Sequence, residues 1–428
     1  MALNAQVNNM VDLSKLNALV IGYGVFEVFM AQKLAEEFKT VRLYTPCEES
    51  FPLLEKQTIG EGVPGVTRVD NYEDYKEDTD LFCFFDYGFA SKQEELRKAG
   101  KRVFGAGNSE ILEMDRILFA KTLANVGLPV FKYRVVKGVD ALTDVLKKEK
   151  DLWVKLPNKA RGIRETFHHS EWKNSITKVD ELAHKLGGYR DSLQFMVVDP
   201  IPGIEAGCEK FLSNGDYPEI ALWGPELKGA GYIGKVMAMA DMPKALKKVD
   251  DEMAKIWKKY KVCGHISSEV RVGKDRKPYF TDPCQRFPSP PGEAVCEAYK
   301  NISQLIWQVA GGEPIKPEPA AKYVAEVCIY SPIGKTEWVP VNFPEKEFKR
   351  LKFRRLCRIE GQYYCLPDKD AGDRIAASVG LGETKEEAEF EAMEGCEQLR
   401  SESKDYDKAV FKEIDEVMEE AESYGVTF

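Results

Sequence analysis

The chain has 428 residues, enough for two to four domains at about 150 residues each. Its 61 Lys and Arg against 70 Asp and Glu give a net charge of −9, which excludes the broad basic footprint of a general nucleic-acid coat but allows a local basic patch over a phosphate. A 43% hydrophobic content supports packed cores, no apolar run approaches the roughly 20 residues of a bilayer span, and residues 1–10 lack the basic and apolar regions of a signal peptide, so a cytoplasmic protein without a membrane partner is expected.

Strand-like runs at Leu16–Tyr23, Val41–Tyr44, Asp80–Phe85 and Arg102–Phe104 alternate with helix-like runs at Val25–Phe38 and Lys92–Ala99. That alternation predicts a parallel sheet covered by helices over residues 1–108. Ser109–Val126 has helical spacing of Ile111, Met114, Leu118 and Leu123, and Gly127-Leu128-Pro129 stops it. Short strands and helices alternate to about Lys210, and Ser213–Gly234 is polar and glycine-rich. Met242–Tyr260 reads as an amphipathic helix, Gly264–Pro283 as a hairpin and Glu293–Ala310 as a helix. Gly311–Pro319 has a linker's composition. After it come strands at Tyr323–Tyr330, Thr336–Val341, Arg354–Ile359 and Ile375–Val379, then a helix at Lys385–Arg400. The acidic tail from Ser401 reads as a solvated helix.

Ten cysteines form no CxxC pair, and there are four histidines. Reduced thiols acting as small hydrophobes are expected, with no zinc site. Gly22-Tyr23-Gly24 follows a strand and opens a helix, a context in which backbone N–H groups face an anion. Position 27 is Glu, so the third glycine of a dinucleotide fingerprint is missing. The ribose acid is equally doubtful, because Glu48 and Glu49 lie in what reads as a plain loop. A tight turn touching another ligand, or none, is the expectation, with a nicotinamide oxidoreductase as a minor alternative.

The hairpin carries the most chemistry. Period two places Glu269 and Arg271 on one strand face, and Asp282, Cys284 and Arg286 on one face of the other. If the turn centres between Asp275 and Arg276, Glu269 and Asp282 stand opposite, with Cβ atoms about 5 Å apart. Carboxylates that close repel unless a cation or proton joins them, and Mg²⁺ bridging them to phosphate oxygens satisfies both. A solvated hairpin with scattered charges is the other reading.

These residues resemble the ATP-grasp ligases, most closely phosphoribosylamine–glycine ligases, in order over nearly the whole chain. The family's Glu-x-Asn-x-Arg looks like Asp282-Pro-Cys284-Gln-Arg286, and an earlier acidic ligand falls on Glu269. Arg116 stands where the family has a Lys before a helix ending in Gly-Ile-Pro. The second nucleotide Lys looks like Lys155, before a glycine-rich loop at Asn158–Gly162. The hinge and ribose motif looks like Val198-Asp199-Pro-Ile-Pro-Gly203-Ile-Glu205. At the ends, Gly22–Glu27 and Arg374–Ala388 look like the family's first strand–turn and last strand–turn–helix.

The resemblance implies an α/β (α+β overall) ATP-grasp fold. Residues 1–108 would form a Rossmann-like N-terminal domain. Residues 109–315 would form the ATP-grasp domain, with a lid at about 129–200 and a metal and substrate part at about 201–315. Residues 316–400 would be a small C-terminal domain, and 401–428 an acidic helical tail. It implies ATP with Mg²⁺ or Mn²⁺ as cofactors. Arg116 and Lys155 would lie along the phosphates, Val198 and Asp199 at adenine, Glu205 on the ribose hydroxyls, Glu269 and Asp282 on the metal, and Arg286 beside developing negative charge as the catalytic residue.

Departures from the pattern bear on substrate. Cys284 replaces the metal-binding Asn and is a poor ligand for hard Mg²⁺. The first-strand Arg is absent, Phe85-Asp86-Tyr87-Gly88 replaces Gly-Pro-Glu, and Pro288–Glu293 replaces Gly-Asp-Pro-Glu. The expected activity is therefore ATP-dependent amide formation between a small carboxylate, glycine first to try, and an amine other than phosphoribosylamine. A catalytically decayed ATP-binding or regulatory protein is the alternative. Gly224–Gly234 reads either as a mobile loop over an acyl phosphate or as a plain surface loop. Trp153, Trp223, Phe287 and Tyr323 read as packing residues.

Overall fold

The structure, a computed structural model, describes residues 11–46, 58–156, 166–367 and 372–428. The loop Asn158–Gly162 and Glu48 and Glu49 fall outside the described residues. The N-terminal sheet is parallel, in the order β3 (Val66–Arg68), β2 (Thr40–Tyr44), β1 (Asn17–Ile21), β4 (Leu81–Phe84), β5 (Arg102–Phe104). Its central strands bury consecutive residues, as strands covered on both faces must. The short β3 has no residue fully buried, so no apolar run marks it in the sequence.

The helix expected over Ser109–Val126 is broken. Asp115 adopts an extended backbone between helices Ile111–Met114 and Arg116–Val126. Its carboxylate accepts from the N–H groups of Ile117 and Leu118 at 3.1 and 2.9 Å, an N-cap that satisfies donors the helix leaves open. Arg116 thereby becomes the first residue of a new helix, which ends at Gly127 in the left-handed conformation. The expected helix over Glu293–Ala310 is likewise two pieces, Gly292–Glu297 and Ile302–Ala310.

A four-stranded antiparallel sheet forms the lid, in the order β6 (Tyr133–Lys137), β9 (Gln194–Val198), β7 (Leu152–Lys155), β8 (Thr166–His169). Helices Val139–Lys148 and Ile176–Leu186 pack Leu142, Leu146, Val179 and Leu182 against Val154, Phe167, Phe195 and Val197. Residues 199–203 then lead into the main sheet.

The main sheet has eight strands. They are β10 (Ile204–Leu212), β11 (Ile220–Leu227), β12 (Gly231–Ala238), β13 (Gly264–Val272), β14 (Pro278–Cys284), β15 (Tyr323–Tyr330), β17 (Leu351–Phe353) and β20 (Arg374–Gly382). Their order is β14-β13-β10-β11-β12-β15-β20-β17, all antiparallel neighbours. The strands of 323–382 thus extend the sheet that carries the hairpin. A small sheet of β16 (Val339–Val341), β18 (Leu356–Ile359) and β19 (Gln362–Cys365) stands beside it. The nine described cysteines are buried and free.

Two expectations about loops and tail change here. Most of Gly224–Gly234 is not loop: it lies in the hairpin of β11 and β12, of which only residues 228–230 turn. The tail is helical but not solvated. Helix Val410–Ser423 buries Val410, Phe411, Ile414 and Ala421, Val426 is fully buried, and Phe428 stacks on Trp223 with ring centroids 5.0 Å apart. Glutamates on the outer face made the segment read as acidic, while its apolar residues recur at helical spacing on the other.

Candidate nucleotide cleft

A cavity of about 380 Å³ lies between the lid and the main sheet. Its walls bring together Arg116, Lys155, Val198, Asp199, Glu205, Glu269 and Asp282, seven of the eight residues singled out in the sequence. The helix that Asp115 starts, the lid strands, the hinge, β10 and the β13–β14 hairpin supply them.

The hairpin register gives the carboxylates their geometry. Glu269 stands directly opposite Asp282. The hairpin reaches that register through a bulge: Val270 opposes Phe280, so Thr281 is the extra residue. Thr281 Oγ1 donates to the Glu269 carbonyl at 2.9 Å, and its own carbonyl accepts from Lys155 Nζ at 3.0 Å. The bulge therefore both aligns the carboxylates and turns a carbonyl toward the lid lysine.

Cations surround the pair. Arg116 Nη1 donates to Asp282 Oδ2 at 2.6 Å, with both side chains mostly buried. Lys228, at the β11–β12 turn, places Nζ 3.7 Å from Glu269 Oε2. Burial and the neighbouring Arg116 charge lower the Lys155 pKa to about 8. Burial raises that of Glu269, against the pull of Lys228. Glu226, on β11, is raised by burial and by Glu269. Cys284 Sγ lies 3.2 Å from Glu269 Oε1, and burial and that carboxylate hold its thiol protonated.

The hinge is built by close backbone approach. Gly203 has φ +104°, and a Cβ there would lie 2.0 Å from the Val272 carbonyl oxygen, so only glycine lets β10 and β13 meet at this corner. Arg271 Nη2 donates to the Gly203 carbonyl at 2.7 Å. Glu205 pairs with Arg271 in register. Asp199 Oδ2 accepts from Lys132 Nζ at 2.6 Å.

Arg286 is the residue the cleft does not include. Its Nε lies 3.2 Å from Glu113 Oε1 and 3.8 Å from Asp86 Oδ1, and its guanidinium faces the Tyr87 ring. It sits on the side of the hairpin facing the N-terminal sheet. The replaced loop Pro288–Glu293 ends in a closed cluster, where Glu293 Oε1 lies 2.8 Å from Arg354 Nη2 and Oε2 3.0 Å from Arg374 Nη2. The Gly22–Gly24 turn is filled by its own carboxyl group: Glu27 Oε2 accepts from the N–H groups of Gly24 and Phe26 at 2.8 and 3.1 Å, and burial pushes its pKa up to about 8. A Cβ on Gly22 would lie 2.0 Å from Glu27 Oε1. The amides a dinucleotide needs are taken, which removes the basis for a nicotinamide site there.

Sequence reasoning overlooked Lys228, Glu226 and the cleft role of Trp153. The first two belong to a hairpin read as loop. Trp153 is not a packing residue: it is 38% exposed and lines the cavity. Its signal was available, since it lies two residues from Lys155 and shares its strand face. Trp223 and Phe287 are buried, as expected.

No family model and no curated protein matches the chain. Solved structures do. A phosphoribosylamine–glycine ligase from Thermotoga maritima shares 17% identity at TM-score 0.69, over 91% of this chain and 99% of that one. An L-amino acid ligase from Bacillus licheniformis shares 14% at TM-score 0.56, over 92% and 99%. The biotin carboxylase domain of a Hydrogenobacter thermophilus 2-oxoglutarate carboxylase, in complex with MgADP and bicarbonate, shares 11% at TM-score 0.64, over 96% and 95%. The lid, cleft and eight-stranded sheet are thus those of the ATP-grasp fold. Within that fold the chain is similar along almost its full length to the Thermotoga maritima phosphoribosylamine–glycine ligase.

Proposed function

We propose that this chain is an ATP-dependent carbon–nitrogen ligase that joins a small carboxylate to an amine through an acyl phosphate. One observation carries the reading: a single cleft gathers three cations, Arg116, Lys155 and Lys228, around the facing carboxylates Glu269 and Asp282, with Glu205 beside the hinge. That is the charge pattern a triphosphate requires, with cations along its oxygens and an acceptor for ribose hydroxyls. The ligases and the MgADP-bound carboxylase that share the fold support the same reaction class.

The donor set fits a hard divalent cation. Two carboxylates face one another in a buried site, and burial raises the Glu269 pKa against the pull of Lys228, so a cation held between the pair would favour the ionised form. Mg²⁺ held by Glu269 and Asp282 with the nucleotide would screen charge on the transferred phosphoryl group. The chain's own groups do the rest. Lys155 and Lys228 hold the phosphate oxygens from lid and sheet, and Arg116, which pairs with Asp282 here, would be free to join them where that carboxylate holds the metal. Residues Val198 and Asp199 offer hinge backbone to the base, and Glu205 accepts from the ribose. Lid closure excludes water from the acyl phosphate. Glycine is the first carboxylate to try, on the likeness to a phosphoribosylamine–glycine ligase. The acceptor differs from phosphoribosylamine, because Arg286 already pairs with Glu113 and Asp86 and the amides of the N-terminal turn already donate to Glu27.

A second reading keeps nucleotide binding without turnover. It is favoured by Cys284 against Glu269 and Arg116 on Asp282, which occupy both carboxylates. Incubation with MgATP and a panel of amino acids and amines decides between them. Amide product with stoichiometric ADP supports the ligase, whereas tight ATP binding without ADP release supports the second reading.

A further inference from the structure

Lys228 reaches the cleft from a turn, and a turn holds a lysine in place only as firmly as it is itself held. The β11–β12 connection runs between the paired residues Leu227 and Gly231. Inside it the Ala230 N–H donates to the Leu227 carbonyl at 2.9 Å, and Gly229 has φ +74°, the left-handed conformation that favours glycine. The Lys228 side chain is 74% exposed, yet its Nζ stands 3.7 Å from Glu269 Oε2. A long exposed lysine keeps most of its rotamer freedom, so the position of its backbone decides what its ammonium can reach.

Two bonds tie the turn to β15. The Cys328 N–H donates to the Ala230 carbonyl at 2.9 Å, and the Tyr330 hydroxyl donates to the Gly229 carbonyl. Tyr330 is held in its turn by the C-terminal tail. Its backbone N–H donates to the Asp405 carbonyl and its carbonyl accepts from the Asp405 N–H, each at 2.8 Å. A few residues on, helix Val410–Ser423 begins against the start of β12, where a Cβ on Gly231 would lie 2.9 Å from Val410 Cγ2. Leu227, next to Lys228, lines one cavity with Ala409 and Val417 of the same segment. A hydroxyl on an exposed turn carbonyl adds little to folding, since water serves that carbonyl nearly as well. What it adds is a fixed turn.

We propose that Tyr330 is a positioning residue for Lys228, and that the tail from Asp405 onward is the brace behind it. The chain of contacts runs from tail to Tyr330, from its hydroxyl to Gly229, and from that turn to the ammonium beside Glu269. This rests on the nucleotide-cleft reading above and adds to it how the third cation is placed. The tail is thereby part of the cleft's architecture, although none of its residues lines the cleft.

Calorimetry on the full chain, with tripolyphosphate and with MgATP, tests this as a double-mutant cycle. Tyr330→Phe keeps the ring and removes only the hydroxyl. It is expected to weaken both probes about three- to tenfold. Lys228→Ala should weaken them about tenfold or more, and Tyr330→Phe should cost nothing further in the Lys228→Ala background. Asp405→Pro, which removes the N–H that Tyr330 accepts, should act in the same Lys228-dependent way. Cooperative melting curves establish that the variants are folded. Losses that add in the double variant assign Tyr330 to the fold at large and overturn the proposal. A Tyr330→Phe affinity within about twofold of wild type, with Lys228→Ala weakening both probes, sinks the positioning role alone. An Asp405→Pro chain that binds like wild type overturns the brace. A wild type that binds neither probe removes the nucleotide cleft as well.

Discussion

Lys155 offers a prediction whose size follows from its surroundings. The side chain is partly buried, donates to the Thr281 carbonyl and sits near Arg116, and its pKa falls from 10.5 to about 8. That depression corresponds to roughly 3 kcal/mol held against the charged form. A polyanionic nucleotide relieves it, and a charge-assisted phosphate contact is worth roughly 1.5–3 kcal/mol. Lys155→Ala should therefore weaken MgATP binding roughly 10- to 150-fold. The pH dependence has a definite sign. Nucleotide binds the protonated lysine, so affinity is full below about pH 8 and is lost as pH rises through that value, falling about tenfold per unit above it. Lys155→Arg keeps its charge through this range and should flatten the profile. Calorimetric titrations from pH 6.5 to 9.5 read both effects (the range is a choice of buffer, about three units wide). A wild-type affinity that stays level across the range, or an alanine variant that binds like wild type, would refute the assignment of Lys155 to the phosphates.

Further outcomes follow from the same geometry. Glu269→Gln or Asp282→Asn should abolish turnover while the melting curve stays cooperative, and near-normal ADP formation by either variant would remove the pair from the metal site. Glu205→Ala should reduce the preference for ATP over its 2′-deoxy analogue, read as a ratio of dissociation constants. Cys284→Asn should preserve or raise Mg²⁺ affinity, because a hard amide oxygen replaces a protonated thiol beside Glu269; a large fall would assign the thiol a packing role. Ile414→Ala, in the C-terminal helix and fully buried, should cost about 2–5 kcal/mol on denaturant unfolding. A change below about 0.5 kcal/mol would restore the view of a solvated tail.

Period and composition carried the fold because most elements are either covered parallel strands or antiparallel strands with one buried face. The β15 strand, Tyr323–Tyr330, has the bounds its apolar run implies. The failures share a cause, in that side-chain chemistry overrode spacing. Asp115 ends one helix and caps the next inside a run with unbroken helical periodicity. Gly224 lies in a strand because it passes close to another backbone, where a Cβ would meet the Ile233 carbonyl at 2.0 Å. That glycine made β11 look like loop and hid Lys228. The carboxylate pair was legible because register is a property of residue spacing, although a bulge at Thr281, invisible in the sequence, sets it. Arg286 was legible as a motif residue but not in its partners, since Glu113 and Asp86 come from segments distant in the chain.

Oxygen transfer from carboxylate to phosphate separates ligation from simple ATP hydrolysis. With a candidate carboxylate labelled with ¹⁸O, MgATP and an amine, formation of an acyl phosphate moves one carboxylate oxygen into the released phosphate. Phosphate carrying one ¹⁸O is expected, in step with ADP and an amide lighter by that oxygen, with loss of all three in Glu269→Gln. ADP released with unlabelled phosphate, independently of carboxylate and amine, would contradict ligation through an acyl phosphate.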